Sequence, residues 1–166
     1  MNLNNIKIGK INHEQLNERR ILQACLKNWF SDPKSLHLTE PNLQYPFDYN
    51  KWIRLFYSRR RYEMWVLLKD NWIIGFISFR RISIDKQGQL LHLFIDKGHR
   101  RNGYGSRLIL HIQEILREFE YLFLLAKVSS ENKTAIKFFH SKGFKEQAST
   151  KNKMLFMEKI LATTDK

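Results

Sequence analysis

The chain has 166 residues, 43% of them hydrophobic and 13% aromatic, which suits one globular domain over residues 1–166 with its core between 4 and 160. Its 29 Lys and Arg against 16 Asp and Glu leave a formal charge of +13; this disfavours polycationic acceptors such as polyamines and aminoglycosides and favours an anionic partner or RNA, with a Lys- and Asn-rich composition as the plain alternative. No apolar run approaches the roughly 18 residues of a membrane span, the start MNLNNIKIGKIN lacks a signal-peptide pattern, and Cys25 is the lone cysteine, so a cytoplasmic protein without disulfides or membrane is expected, as monomer or homodimer.

Ile6, Ile8 and Ile11 predict a short first strand, and residues 13–30 read as a helix with Leu22, Cys25, Leu26, Trp29 and Phe30 on its apolar side. Pro33, Pro41 and Pro46 all fall within residues 31–47, which reads as a long connection, followed by a helix from Asp48 to Arg59. Phe47, Tyr49, Trp52 and Tyr57 there line either a pocket or the core. Tyr62–Lys69 and Trp72–Ser83 are strands joined at Asp70-Asn71, a hairpin signal, and Asp85–Gly88 turns the chain into a further strand, Leu90–Ile95. Leu108, Ile109, Ile112, Ile115, Leu116 and Phe119 recur at helical spacing. Tyr121–Val128 reads as a buried strand, Ser129–Lys133 as the cap of a helix that Gly143 ends, and Phe144–Ser149 with Lys153–Ile160 as a closing hairpin. The predicted order is β-α-α-β-β-β-α-β-α-β-β, an α/β (α+β) chain with about seven strands and four helices.

Between the strand ending at Ile95 and the long helix stands His99-Arg100-Arg101-Asn102-Gly103-Tyr104-Gly105-Ser106. Glycines two apart let backbone approach a ligand, and the free amides of a helix start attract an anion. A tight turn is the plain alternative. Neither the three-glycine dinucleotide fingerprint nor the Gly-Lys-Ser/Thr phosphate loop is present. Asn132 leads the next helix and reads as a cap, a ligand contact, or both.

At these residues the chain resembles the GNAT superfamily of acetyl-coenzyme A dependent N-acetyltransferases. The family's Gln/Arg-x-x-Gly-x-Gly/Ala matches Arg100, Gly103 and Gly105, and its Asn-led second motif matches Asn132, Ala135, Phe138, Phe139, Gly143 and Phe144. The resemblance implies a mixed, mainly antiparallel sheet whose fourth and fifth strands splay, with acetyl-CoA as co-substrate in the gap. It implies further that backbone at Leu93, Phe94 and Ile95 pairs with the pantetheine arm and that Arg100, Arg101, Asn102, Gly103, Tyr104, Gly105 and Ser106 hold the pyrophosphate. Asn132, Ala135 and Phe139 would meet the arm as well. No metal is implied.

The usual acid–base positions are altered. Relatives place an acid tyrosine where Phe139 stands, and base glutamates where Gln89 and Lys127 stand. The candidate base is therefore His92, whose ordinary pKa lies near neutrality, with a packed strand histidine as the plain alternative. Glu131 and His140 are weaker candidates. The basic cluster Arg59-Arg60-Arg61 with Arg80-Arg81 reads either as a contact for an anionic acceptor or as a solvated face. The function expected is transfer of acetyl from acetyl-CoA to a primary amine of a small molecule or protein by direct attack. The alternatives are an aminoacyl-tRNA acetyltransferase, or a degenerate acyl-CoA binding module associated with RNA or the ribosome.

Overall fold

The computed structural model describes residues 5–58, 62–149 and 153–161. In chain order the elements are β1 (Ile6–Lys10), α1 (Leu16–Trp29), α2 (Pro33–Thr39), α3 (Tyr49–Phe56), β2 (Glu63–Lys69), β3 (Trp72–Ile82) and β4 (Gln87–Ile95). A 3₁₀ turn (Lys97–His99) then leads into α4 (Tyr104–Glu118), β5 (Phe123–Ser129), α5 (Lys133–Ser141), β6 (Lys145–Ser149) and β7 (Met154–Ile160). The strands form one sheet in the order β1-β2-β3-β4-β5-β7-β6. Each pairing is antiparallel except β4 with β5, as a helical crossover between them requires.

Four helices were expected and the described residues form five. The addition is α2, inside the proline-bearing stretch read as a connection. Its cause is local: the Asp32 carboxylate accepts from the Lys34 and Ser35 amides and from the Ser35 hydroxyl, and Pro33 occupies the first helical position, where its missing N–H costs nothing. The β2–β3 hairpin turns through Asp70 and Asn71, both at positive φ, as that dipeptide allows.

Two cores sandwich the sheet. On one face Ile77, Phe79, Leu90, Leu124, Ala126 and Met157 pack against Leu108, Ile109, Ile112 and Leu116 of α4 and Phe139 of α5. On the other, Met64, Val66, Phe76 and Phe94 pack against Leu22, Leu26, Trp29 and Phe30 of α1, Leu36 of α2 and Trp52 of α3. This second core draws on β2, β3 and β4 only, so α1–α3 leave that face of β5 and β7 uncovered. Phe47, Tyr49, Trp52 and Tyr57 belong to it, and Trp52 is completely buried.

Candidate acceptor and cofactor cleft

β4 and β5 pair only from Gln87–Leu90 against Phe123–Ala126 and then part. The gap is a cleft of about 80 Å³. Leu90, Leu91, His92 and Leu93 of β4 form one wall and Ala126, Lys127, Val128 and Ser129 of β5 the other. Asn132, Ala135 and Phe139 close it from the α5 side, and Leu38, Thr39, Pro41 and Met154 border it opposite.

The ladder between β3 and β4 determines which backbone groups face this gap. The Asp96 amide donates to the Ile74 carbonyl, and bonded pairs alternate along an antiparallel ladder. Phe94, opposite Phe76, therefore spends its groups on β3, while Leu93 and Ile95 turn theirs toward the gap. Of the three residues expected to offer backbone there, two do so by this alternation; the Phe94 ring packs on Phe30, Phe76 and Trp29. The Ile95 carbonyl already accepts from the Arg100 Nε at 2.9 Å, folding that side chain back onto the strand end and over Phe94.

At the same end of β4, α4 begins with Gly103 in the left-handed region at φ 76° and with no side-chain cap. The Tyr104, Gly105 and Ser106 amides thus lack an intrahelical acceptor and point out of the first turn. Gly105 is needed for proximity: a Cβ there would stand 3.2 Å from Phe138 Cζ of α5. Arg101 also has positive φ, and Asn102 Nδ2 donates to the His99 and Arg100 carbonyls, which fixes the loop that precedes the helix. Asn132 caps α5, accepting from the Ala135 amide at 3.1 Å, and its Nδ2 reaches the Leu38 carbonyl of α2 at 3.5 Å.

A bulge redirects β4 halfway along. Ser78 faces His92 and Phe79 faces Leu90, so Leu91 has no partner on β3. Leu90 consequently lies in the α4-side core, while His92 falls on the opposite face against Trp52, with ring centroids 4.3 Å apart. The imidazole is wholly buried. Its Nε2 stands 3.2 Å from Glu40 Oε2, and its Nδ1 3.2 Å from the Tyr57 hydroxyl and 3.3 Å from that of Ser78. Burial holds the imidazole below its ordinary pKa, with Glu40 pulling the other way. Burial raises the Glu40 carboxyl, but the His92 contact and the Asn42 donors more than reverse this, so its net shift is downward. A neutral ring with Nε2–H donating to an ionised Glu40, and Nδ1 accepting from a hydroxyl, satisfies every partner. As it stands, His92 lies behind the cleft wall, out of reach of an acceptor.

Glu131 sits beside Asn132 at the rim, its carboxylate 3.5 Å from His37 Nε2 and 3.9 Å from Lys153 Nζ. His140 is turned away to Glu146 on β6, at 3.0 Å. Phe139 lines the cleft with no proton to give, and Gln89 Oε1 accepts from Arg80 Nε. Arg81 is ion-paired to Glu63 and lies over Phe119. Arg59, Arg60 and Arg61, with the tip of the loop between β6 and β7 at 150–152, lie outside the described residues.

Glu40, the partner of His92, is the member of this buried network that sequence reasoning missed. It is 52 residues from its partner His92, and no spacing rule links the end of one helix to the middle of a bulged strand. The available signals were Asp32-Pro33, which starts α2, and Pro41, which bars the helix from continuing through Glu40.

The model of the Acetyltransferase (GNAT) family matches residues 24–144. Solved structures share the fold. The GNAT domain of S. lividans PAT superposes with a TM-score of 0.77 at 17% identity, over 94% of this chain and 90% of that one. A domain from Methanocaldococcus jannaschii DSM 2661 gives 0.76 at 19% identity, over 95% of this chain and 99% of that one. The PaiA N-acetyltransferase from Thermoplasma acidophilum, solved in complex with coenzyme A, gives 0.71 at 21% identity, over 93% and 98% of the two chains. Among curated protein sequences none matches this chain.

Proposed function

Since the chain belongs to the acetyltransferase (GNAT) family, we propose that it transfers acetyl from acetyl-CoA to a primary amine bound at the mouth of the cleft between β4 and β5. The observation that carries the reading is the coincidence of two features at one end of β4: backbone groups of Leu93 and Ile95 without a strand partner, and an uncapped helix start at Gly103. An extended arm takes the first and a pyrophosphate the second. The residues present therefore fit coenzyme A.

When bound, acetyl-CoA supplies an activated acyl group with a thiol leaving group of pKa roughly 8–9. The chain's own part is placement. The Tyr104, Gly105 and Ser106 amides would hold the anionic end, a charge placed at a helix terminus being worth about 0.3–1 kcal/mol. Asn132, Ala135 and Phe139 would confine the arm, and the Leu93 amide would donate toward the carbonyl oxygen on which charge develops. In the balanced reaction the amine nitrogen bonds to the carbonyl carbon, the carbon–sulfur bond breaks, and the amine proton leaves.

None of the described side chains lining the cleft is acidic. The proton would go by water to Glu131 at the rim, while the thiolate needs no donor from Phe139. General acid–base help is typically worth about 100- to 10,000-fold, so this arrangement predicts a slower enzyme than one with a tyrosine at that position, not an inert one. His92 and Glu40 would act as positioning residues, tying the end of α2, and with it Thr39 and Pro41, to the bulge of β4.

The test is transfer of labelled acetyl from acetyl-CoA into a native cell extract, followed by separation into protein, RNA and small-metabolite fractions. Enzyme-dependent label in one fraction is expected. Acetyl-CoA binding with no label in any fraction would replace this reading with a binding module.

A further inference from the structure

Of the described side chains that line the cleft, Lys127 is the one that carries a charge, because the other ionisable residue there, His92, is buried and held toward its neutral form. Lys127 lies on the face of β5 that α1–α3 leave open and is exposed, with its Nζ 5.7 Å from the centre of the Phe156 ring. Among the described residues no carboxylate forms an ion pair with it. The nearby acids are otherwise engaged. Glu131 meets His37 and Lys153, and Glu158, on β7 opposite Leu125, accepts from Gln147. Arg80, on β3 opposite Gln89, donates to the Gln89 side chain and lies over the Tyr62 ring.

An amine acceptor entering this mouth meets the positive charge of Lys127. The same charge attracts an anionic group elsewhere on the acceptor. The mouth is bounded by Leu38, Pro41 and Met154, and the cleft behind it holds about 80 Å³, the scale of a small molecule.

Building on the acetyltransferase reading, we propose that the acceptor is a small amine bearing a carboxylate or phosphate near its nitrogen, with that anionic group seated on Lys127. Charge selection therefore resides in Lys127, which stands where the family resemblance implies a carboxylate base.

The experiment uses the full chain with labelled acetyl-CoA and a native extract, separated after reaction into protein, RNA and small-metabolite fractions. Residual acetyl-CoA is removed on charcoal, volatile acetate is driven off, and the labelled product is passed over an anion exchanger. Acetylation removes the only positive charge of such an acceptor, so the product is expected to be retained. With Lys127→Met, retained label should fall by about tenfold, the worth of one charge-assisted hydrogen bond, while acetyl-CoA affinity is unchanged. Treating the acceptor pool with phosphatase beforehand removes the retained label if the anion is a phosphate and leaves it if it is a carboxylate. Label that flows through the exchanger, label confined to protein or RNA, or a yield indifferent to Lys127→Met overturns this inference and leaves the acetyltransferase reading intact. No label in any fraction overturns both.

Discussion

The two sides of the cleft are made of different material. Toward α4 and α5 the site is backbone: groups of Leu93 and Ile95 without a strand partner, the free amides of the first turn of α4, and the capped start of α5. Toward α2 it is side chains, with Glu40, His92, Tyr57 and Ser78 joined in a buried network that fixes where Thr39 and Pro41 stand. A backbone site recognises what every member of a family shares, whereas a side-chain site can be rewritten residue by residue. Under the proposed function the common co-substrate takes the first side and the individual acceptor the second.

The sharpest way to break that division is to fill the backbone site without harming the helix that makes it. Ser106 is the third residue of α4, where a glutamate satisfies the helix start with its own carboxylate. Ser106→Glu is expected to weaken acetyl-CoA binding by about 100-fold or more, through like-charge repulsion and loss of free amides, with an unchanged or raised melting temperature. Calorimetric titration beside a thermal melt reads both. Undiminished affinity would place the pyrophosphate elsewhere.

The opposite side is broken at Glu40. Glu40→Ala leaves the His92 Nε2–H buried without its acceptor, a loss worth about 1–3 kcal/mol in a denaturant titration. Its kinetic signature should be a raised KM for the acceptor with acetyl-CoA affinity retained, and Glu40→Gln, which keeps an acceptor oxygen, should recover much of the stability. A change in acetyl-CoA affinity of similar size would mean that the two sides are not independent.

How far these two sides could be read from the sequence follows from the same difference. Gly103, Gly105 and Asn132 announce themselves because a left-handed cap, a close helix approach and a helix cap each demand few residue types at fixed spacing. The bulge at Leu91 leaves no such mark. It shifts His92 from the face of Leu90 to the face of Trp52, so a strand histidine that pattern alone sends toward a substrate ends up in an aromatic core. Arg80 and Arg81 read alike as a basic pair; Glu63 and Gln89, neighbours only in the folded sheet, give the two different partners.

The smallest effect expected is in the pH dependence of stability. His92 is held below its ordinary value of 6.5 in the fold, so the unfolded chain takes up a proton first as the solution is acidified, and stability falls from about pH 6.5 downward. Glu40, lowered from 4.5, extends the loss to more acidic pH. His13 and His111 are lowered by burial too, so His92→Gln should flatten the slope between neutral pH and pH 5 without abolishing it. Denaturant midpoints at several pH values measure this, and an unchanged slope would mean that His92 is not held neutral.

The most direct test of the division itself is amide hydrogen exchange with and without acetyl-CoA. Added protection is predicted at Leu93 and Ile95 and at Tyr104, Gly105 and Ser106, with Glu40, Asn42 and the remainder of α2 little changed. Binding that protects α2 and leaves the start of α4 exchanging as before would contradict the account.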